Sequence, residues 1–202
     1  MDFAFGNGVL VAVMSNGKAY TTVDGELWIE RDTGLSIGRT IEFGNGRFVI
    51  SGGGITSVSS DNGATWTTRS PSHTTLAFMN GVFYAISAVN LTTGGVNFHH
   101  STDGLAWTFV SVAGAGSTIM SSAVVNGNLI AYTGMSLGPR GFRFNGLGNP
   151  WVETGNMGIT VASAVPASVA VSNGRIVAVS TTNLSGNRYV STVSVDNGAT
   201  WS

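Results

Sequence analysis

Asn45-Gly46-Arg47-Phe48-Val49-Ile50, followed shortly by Ser59-Ser60-Asp61-Asn62-Gly63-Ala64-Thr65-Trp66, decides the fold. An Asn-Gly pair between two apolar runs is the strongest short-range signal for a hairpin, because both central residues of a type I′ turn need positive φ. In the second segment the Asp carboxylate suits a turn, since it accepts hydrogen bonds from the amides that follow it. Gly supplies a positive-φ position, and Trp anchors the next strand in apolar surroundings. One hairpin plus one such turn makes a four-stranded antiparallel unit, with strands A and B joined by Asn-Gly and strands C and D joined by the Asp turn.

The pattern recurs along the chain. Asn7-Gly8, Asn45-Gly46, Asn80-Gly81, Asn126-Gly127 and Asn173-Gly174 each precede an apolar run, as in Val9-Leu10-Val11-Ala12-Val13 and Arg175-Ile176-Val177-Ala178-Val179. The Asp turn returns with Asp24 and Trp28, Asp61 and Trp66, Asp103 and Trp107, and Asp196 and Trp201, and in decayed form before Trp151. A period of roughly 35 to 50 residues is that of four-stranded blades. Alternation without a 3.6-residue period argues against helices. The expected fold is all-β: a single five-bladed β-propeller domain over 1–202 with four-stranded antiparallel blades near 2–38, 39–73, 74–118, 119–163 and 164–202. The fifth blade is expected to stop short at Trp201-Ser202, leaving an edge for a further chain or a neighbouring subunit to cover.

Asp61 to Trp66 and Asp196 to Trp201 sit in the Ser-x-Asp-x-Gly-x-x-Trp pattern and resemble the Asp box of sialidase-type BNR repeats. The boxes at Asp24 and Asp103 are similar but one residue shorter. Combined with the Asn-Gly hairpins, the chain looks like the repetitive propellers of phage structural proteins and bacterial surface proteins. That resemblance covers nearly all of the chain; it implies a fold, and it implies an extracellular or virion-associated location.

Composition narrows the partners. Only 9% of residues are charged, the formal net charge is −1 and Lys18 is the sole lysine. That leaves no basic face to displace counterions, so nucleic acid is not an expected partner. Cysteine is absent, which removes disulfides and thiolate metal sites. The opening Met1-Asp2-Phe3-Ala4-Phe5 lacks the basic flank of a secretory signal, and no apolar run reaches membrane-spanning length.

No catalytic constellation emerges. The repeated acids Asp24, Asp61, Asp103 and Asp196 are read as turn scaffold, because catalytic carboxylates work as unlike pairs. Asp2, Glu26, Glu30, Asp32, Glu42 and Glu153 remain as acids outside the boxes. The Phe-Arg-Ile-Pro signature of sialidases is missing. Gly134-Met135-Ser136-Leu137-Gly138 spells a nucleophile elbow, but Pro139 and another strand follow where a helix should. His99 and His100 are neighbours on a strand and so point to opposite faces, which suits no shared metal. No cofactor, metal or catalytic residue is expected, and the chain is read as a non-enzyme.

The Asn-Gly and Asp-box turns lie at one end of the strands and are uniform. The loops at the other end vary, and function on rigid scaffolds sits on such loops. Arg31, Asp32, Arg69, His73, Asn90, Arg140, Asn156, Asn187 and Arg188 fall there and form the candidate ligand set. It is poor in charge and suits a glycan or a protein surface. The expected function is a non-catalytic, lectin-like or receptor-recognition module; a purely structural decoration is the alternative, and a glycosidase the third.

Overall fold

Both residues of each Asn-Gly pair adopt positive φ: Asn7 at 50° and Gly8 at 77°, Asn45 at 48° and Gly46 at 73°, Asn80 at 52° and Gly81 at 78°, Asn126 at 46° and Gly127 at 71°, Asn173 at 49° and Gly174 at 74°. These are the type I′ turns that match the twist of the flanking strands. The computed structural model describes residues 1–70, 75–86, 95–113, 118–134, 140–149, 152–156, 165–182 and 188–202.

Nineteen strands and no helix occur among the described residues. The first sheet is β1 (Asp2–Gly6), β2 (Val9–Val13), β3 (Lys18–Thr22) and β4 (Ile29–Asp32); the second is β5 (Thr40–Gly44), β6 (Arg47–Gly52), β7 (Ile55–Ser59) and β8 (Thr67–Arg69). The third is β9 (Thr75–Met79), β10 (Val82–Ile86), β11 (Gly95–Ser101) and β12 (Thr108–Ala113). The fourth is β13 (Thr118–Val125), β14 (Asn128–Gly134), β15 (Arg140–Phe144) and β16 (Val152–Asn156). The fifth has three strands, β17 (Val165–Ser172), β18 (Arg175–Thr182) and β19 (Arg188–Ser194). Where its fourth strand was expected to begin, Ser202 exchanges both backbone hydrogen bonds with Val193, at 2.9 and 3.0 Å. Every sheet is a meander in sequence order, and all of the pairing is antiparallel, as the repeat requires.

The chain divides into two compact units, Met1–Ser87 with Phe98–Val110, and Ala88–Asn97 with Ser111–Ser202. In the first, Val11, Val13 and Ala19 of the first sheet pack with Ile41, Phe48 and Ile50 of the second. Val49 and Val58 of the second sheet pack in turn with Leu76, Phe83 and Ala85 of the third. In the second unit Val125 and Ile130 of the fourth sheet pack with Ile176 and Ala178 of the fifth. Each contact joins one face of a sheet to the opposite face of the next, so both faces carry apolar residues and the core is divided among successive sheets.

The Asp-box turns lock into these contacts. Gly63 lies so close to the first sheet that a Cβ there would meet the Thr21 methyl at 2.8 Å. Gly104 stands in the same relation to Val49 at 2.6 Å, and Gly198 to Ile130 at 3.3 Å. The box glycine therefore serves close packing as well as a positive φ.

Candidate functional site

The long box closes on itself through Ser59 and Asp61. The Ser59 hydroxyl donates to Asp61 Oδ1 at 2.7 Å and accepts from the Gly63 amide at 2.8 Å, while Asp61 Oδ1 accepts from the Thr65 amide at 2.9 Å. The Trp66 indole donates to the Gly63 carbonyl at 3.0 Å. Ser194, Asp196, Gly198, Thr200 and Trp201 repeat this arrangement. The shorter boxes make the same bonds: Asp24 accepts from the Glu26 and Leu27 amides at 2.9 and 3.1 Å, Asp103 from the Leu105 and Ala106 amides at 2.8 and 2.9 Å, and Trp28 and Trp107 donate to Gly25 and Gly104. The extra residue of the long form is an asparagine at positive φ, Asn62 at 60° and Asn197 at 58°.

These bonds fix the charge of the boxes. Burial would raise the Asp61 carboxyl, but the hydrogen bonds from Thr65 and Ser59 outweigh it and hold the group at about 2. The Thr200 side chain and amide, with Ser194, hold Asp196 at about 2. Backbone amides lower Asp24 and Asp103 as well. Anionic and fully engaged, none of these carboxyls is poised to give or take a proton near neutral pH.

The Asn of each hairpin does more than supply φ. Asn7 Nδ2 donates to Asn62 Oδ1 in the next sheet at 3.1 Å, and Asn126 Nδ2 to Asn197 Oδ1 at 2.7 Å. Asn45 Nδ2 donates to the carbonyls of Gly81 and Thr102, both at 2.8 Å. An Asn45→Asp chain keeps a residue tolerant of positive φ but loses both donors and sets a carboxylate against two carbonyl oxygens. Its expected cost is about 2 kcal/mol, read as a lowered urea midpoint at unchanged slope.

The candidate ligand residues are less exposed to use than the sequence suggests. Arg31 and Asp32 were expected on a loop but belong to β4, paired with Ala19 and Lys18, and Arg69 closes β8 opposite Thr56. Arg140 opens β15, Asn156 closes β16 and Arg188 opens β19, for the same reason: the ladder runs to the ends of the runs. Asp32 faces the Lys18 ammonium at 3.6 Å, and the Gly34 amide and Lys18 lower its pKa. The Arg69 Nη1 donates to the Thr68 carbonyl at 2.7 Å. His73, Asn90, Asn187 and the box residue Trp151 lie outside the described residues.

Arg31 is the exception. It lines a cleft of about 260 Å³ in the first unit, with a floor that includes Val9, Leu27 and Ile29 and a rim that includes Thr21, Thr22, Asp24, Asp61 and Asn62. Its Nε lies 3.4 Å from the Thr21 hydroxyl. Elsewhere the sequence reading missed a buried latch on the segment leading to the second sheet. The Thr33 hydroxyl donates to the Gly17 carbonyl, and Ser57 donates to the Thr33 carbonyl at 2.7 Å.

Glu42 was the other acid whose setting the sequence hid. Burial, and then the charge of Asp2 on the adjoining β1, push its carboxyl up to about 8. Asp2 itself is tied to backbone, accepting from the Phe3 and Ile41 amides at 3.0 Å each.

No family model matches the chain, and no curated protein matches it. Solved structures do. An ancestral GH74 enzyme aligns over 100% of this chain and 30% of its own with TM-score 0.70 and 14% identity. The hydrazine synthase of Kuenenia stuttgartiensis aligns over 95% and 61% with TM-score 0.67 and 7% identity. The computationally designed Ika8 protein aligns over 98% and 59% with TM-score 0.62 and 14% identity. The likeness is one of fold alone. The fold is all-β and propeller-like, its neighbours include glycoside hydrolases, and the chain spans less than two thirds of each of these three chains.

Proposed function

We propose that the five sheets are blades of a β-propeller built on Asp-box repeats, and that the protein is a non-catalytic recognition module carried on a phage particle or a bacterial surface. The observation that carries the binding reading is the Arg31 cleft. An apolar floor of Val9, Leu27 and Ile29 under a rim of threonine hydroxyls, Asn62 and one guanidinium suits the C–H face and hydroxyls of a neutral sugar. The box carboxyls nearby are consumed by their own turns, so the rim offers orientation rather than acid–base chemistry.

Arg31→Ala should weaken glycan or host-cell binding about tenfold by removing a charged hydrogen-bond donor, with the unfolding midpoint unchanged. A folded wild-type chain that binds nothing on a glycan array and no host cell would end the recognition reading.

A second reading draws on Glu42. A carboxyl protonated up to about 8 beside the amide-bonded Asp2 carboxylate is the unlike pair that acid–base hydrolysis uses, and the similar solved structures include glycoside hydrolases. Release of reducing ends from oligosaccharides by wild type and not by Glu42→Gln supports it; no release by wild type removes it.

A further inference from the structure

One face of the first sheet lacks the cover that its counterparts have. Aligned on the Asn-Gly turns, Phe3 and Phe5 correspond to Ile41 and Phe43 of the second sheet and to Leu76 and Phe78 of the third. Ile41 and Leu76 are 3% and 2% exposed, packed on the valines of the preceding sheet. Phe3 and Phe5 are 48% and 69% exposed. The box glycines Gly63, Gly104 and Gly198 each touch a neighbouring sheet, whereas nothing stands within 4 Å of a Cβ at Gly25. A cleft of about 310 Å³ opens on this face, lined by Met1, Phe3, Ala12, Met14, Tyr20 and Trp28.

The matching half of the interface is exposed on the fifth sheet. Val177 corresponds to Val11, Val49 and Ile130, all fully buried, yet it is 36% exposed. Residue sizes also correspond. Gly6 lies against the Phe43 ring and Gly44 against the Phe78 ring, while in the second unit Val125 takes the glycine's place and Val171 the phenylalanine's. Ser172 returns to a small side chain, the kind that a phenylalanine such as Phe5 requires.

We propose that the fifth sheet of one copy docks on the first sheet of a second copy, repeating head-to-tail the interface between successive sheets. This rests on reading the sheets as equivalent blades. Both halves of a self-complementary, heterologous contact lie on the same chain, which makes a second copy the fitting occupant. The first and third boxes share the short form, so Asn173 takes the part that Asn45 plays toward Thr102 and Gly81. Its amide donates to the carbonyls of Val23 and Gly8 of the second copy. Val177 and Val193 then fill the space beside Gly25, and Phe5 lies over Ser172.

Sedimentation equilibrium across the micromolar range should show wild type growing beyond one chain with concentration. Phe5→Glu and Val177→Glu, each burying a charge in the contact, should weaken association about a hundredfold and sediment as single chains. Each variant keeps one intact end, so mixing the two should give one-to-one pairs and nothing larger. Their circular dichroism and unfolding midpoints should match wild type, because both residues are exposed in a lone chain. Ser172→Gly should tighten the association. A wild type that stays a single chain throughout, a mixture that does not pair, or a single-chain variant that loses thermal stability because the face is covered from within would each overturn the proposal.

Discussion

Gly6→Val should destabilise the first unit by about 3 kcal/mol, and adding Phe43→Val to the same chain should recover most of that loss. A Cβ at Gly6 would lie 2.2 Å from the Phe43 ring, and Gly44 meets Phe78 at the same distance, so these glycines are kept for a neighbour's aromatic ring rather than for a turn. Phe43 cannot simply yield, because its ring rests 4.7 Å from that of Phe48, which is fully buried. The second unit holds the compensated alternative, with Val125 and Val171 at the corresponding positions. Phe43→Val alone removes apolar contact and should cost about 1–2 kcal/mol. The double variant should then be more stable than Gly6→Val alone, with a coupling of about 2 kcal/mol in a double-mutant cycle from urea unfolding. Additive losses would mean that the ring and the glycine do not share that space.

What the sequence made legible was whatever each repeat decides locally. Positive φ at Asn45-Gly46 and the bonds around Asp61 lie within a few residues, so the strand order of every sheet follows from one stretch read repeatedly. Contacts between repeats are another matter. A turn that requires asparagine for its backbone accounts fully for Asn7, and nothing local says that its amide reaches Asn62, in the next sheet. Thr33 and Ser57 are two hydroxyls among many, and only the approach of Gly17 distinguishes them. Arg31 was rightly singled out but for the wrong setting: it lies in β4, and it faces a cleft at the box end of the sheet. The faces themselves were half legible. Alternation in β1 marks Phe3 and Phe5 as one set, but their exposure appears only when the second and third sheets are laid beside the first.

The acid at position 42 carries the largest dependence on pH. Its carboxyl ordinarily titrates near 4.5 and in the folded chain is pushed up to about 8, first by burial and then by Asp2. The folded state therefore keeps a proton that the unfolded chain has released, so stability is fully present below about 4.5 and is lost as pH rises toward 8. The whole interval is equivalent to about 5 kcal/mol, and solvent access to this half-buried side chain reduces that to about 2–3 kcal/mol. Wild type should lose about 5–10 °C of melting temperature between pH 5 and pH 9, while Glu42→Gln should stay nearly level and exceed wild type above pH 8. Because burial is the larger cause, Asp2→Asn should move the Glu42 titration by less than half as much as full exposure would, a difference that side-chain carboxyl NMR reads directly. It should also weaken the hold on the Ile41 amide, since an Asn oxygen accepts that bond without a charge. A Glu42 resonance that titrates near its ordinary value in the folded chain would refute the account and, with it, the unlike acid pair on which the hydrolytic reading depends.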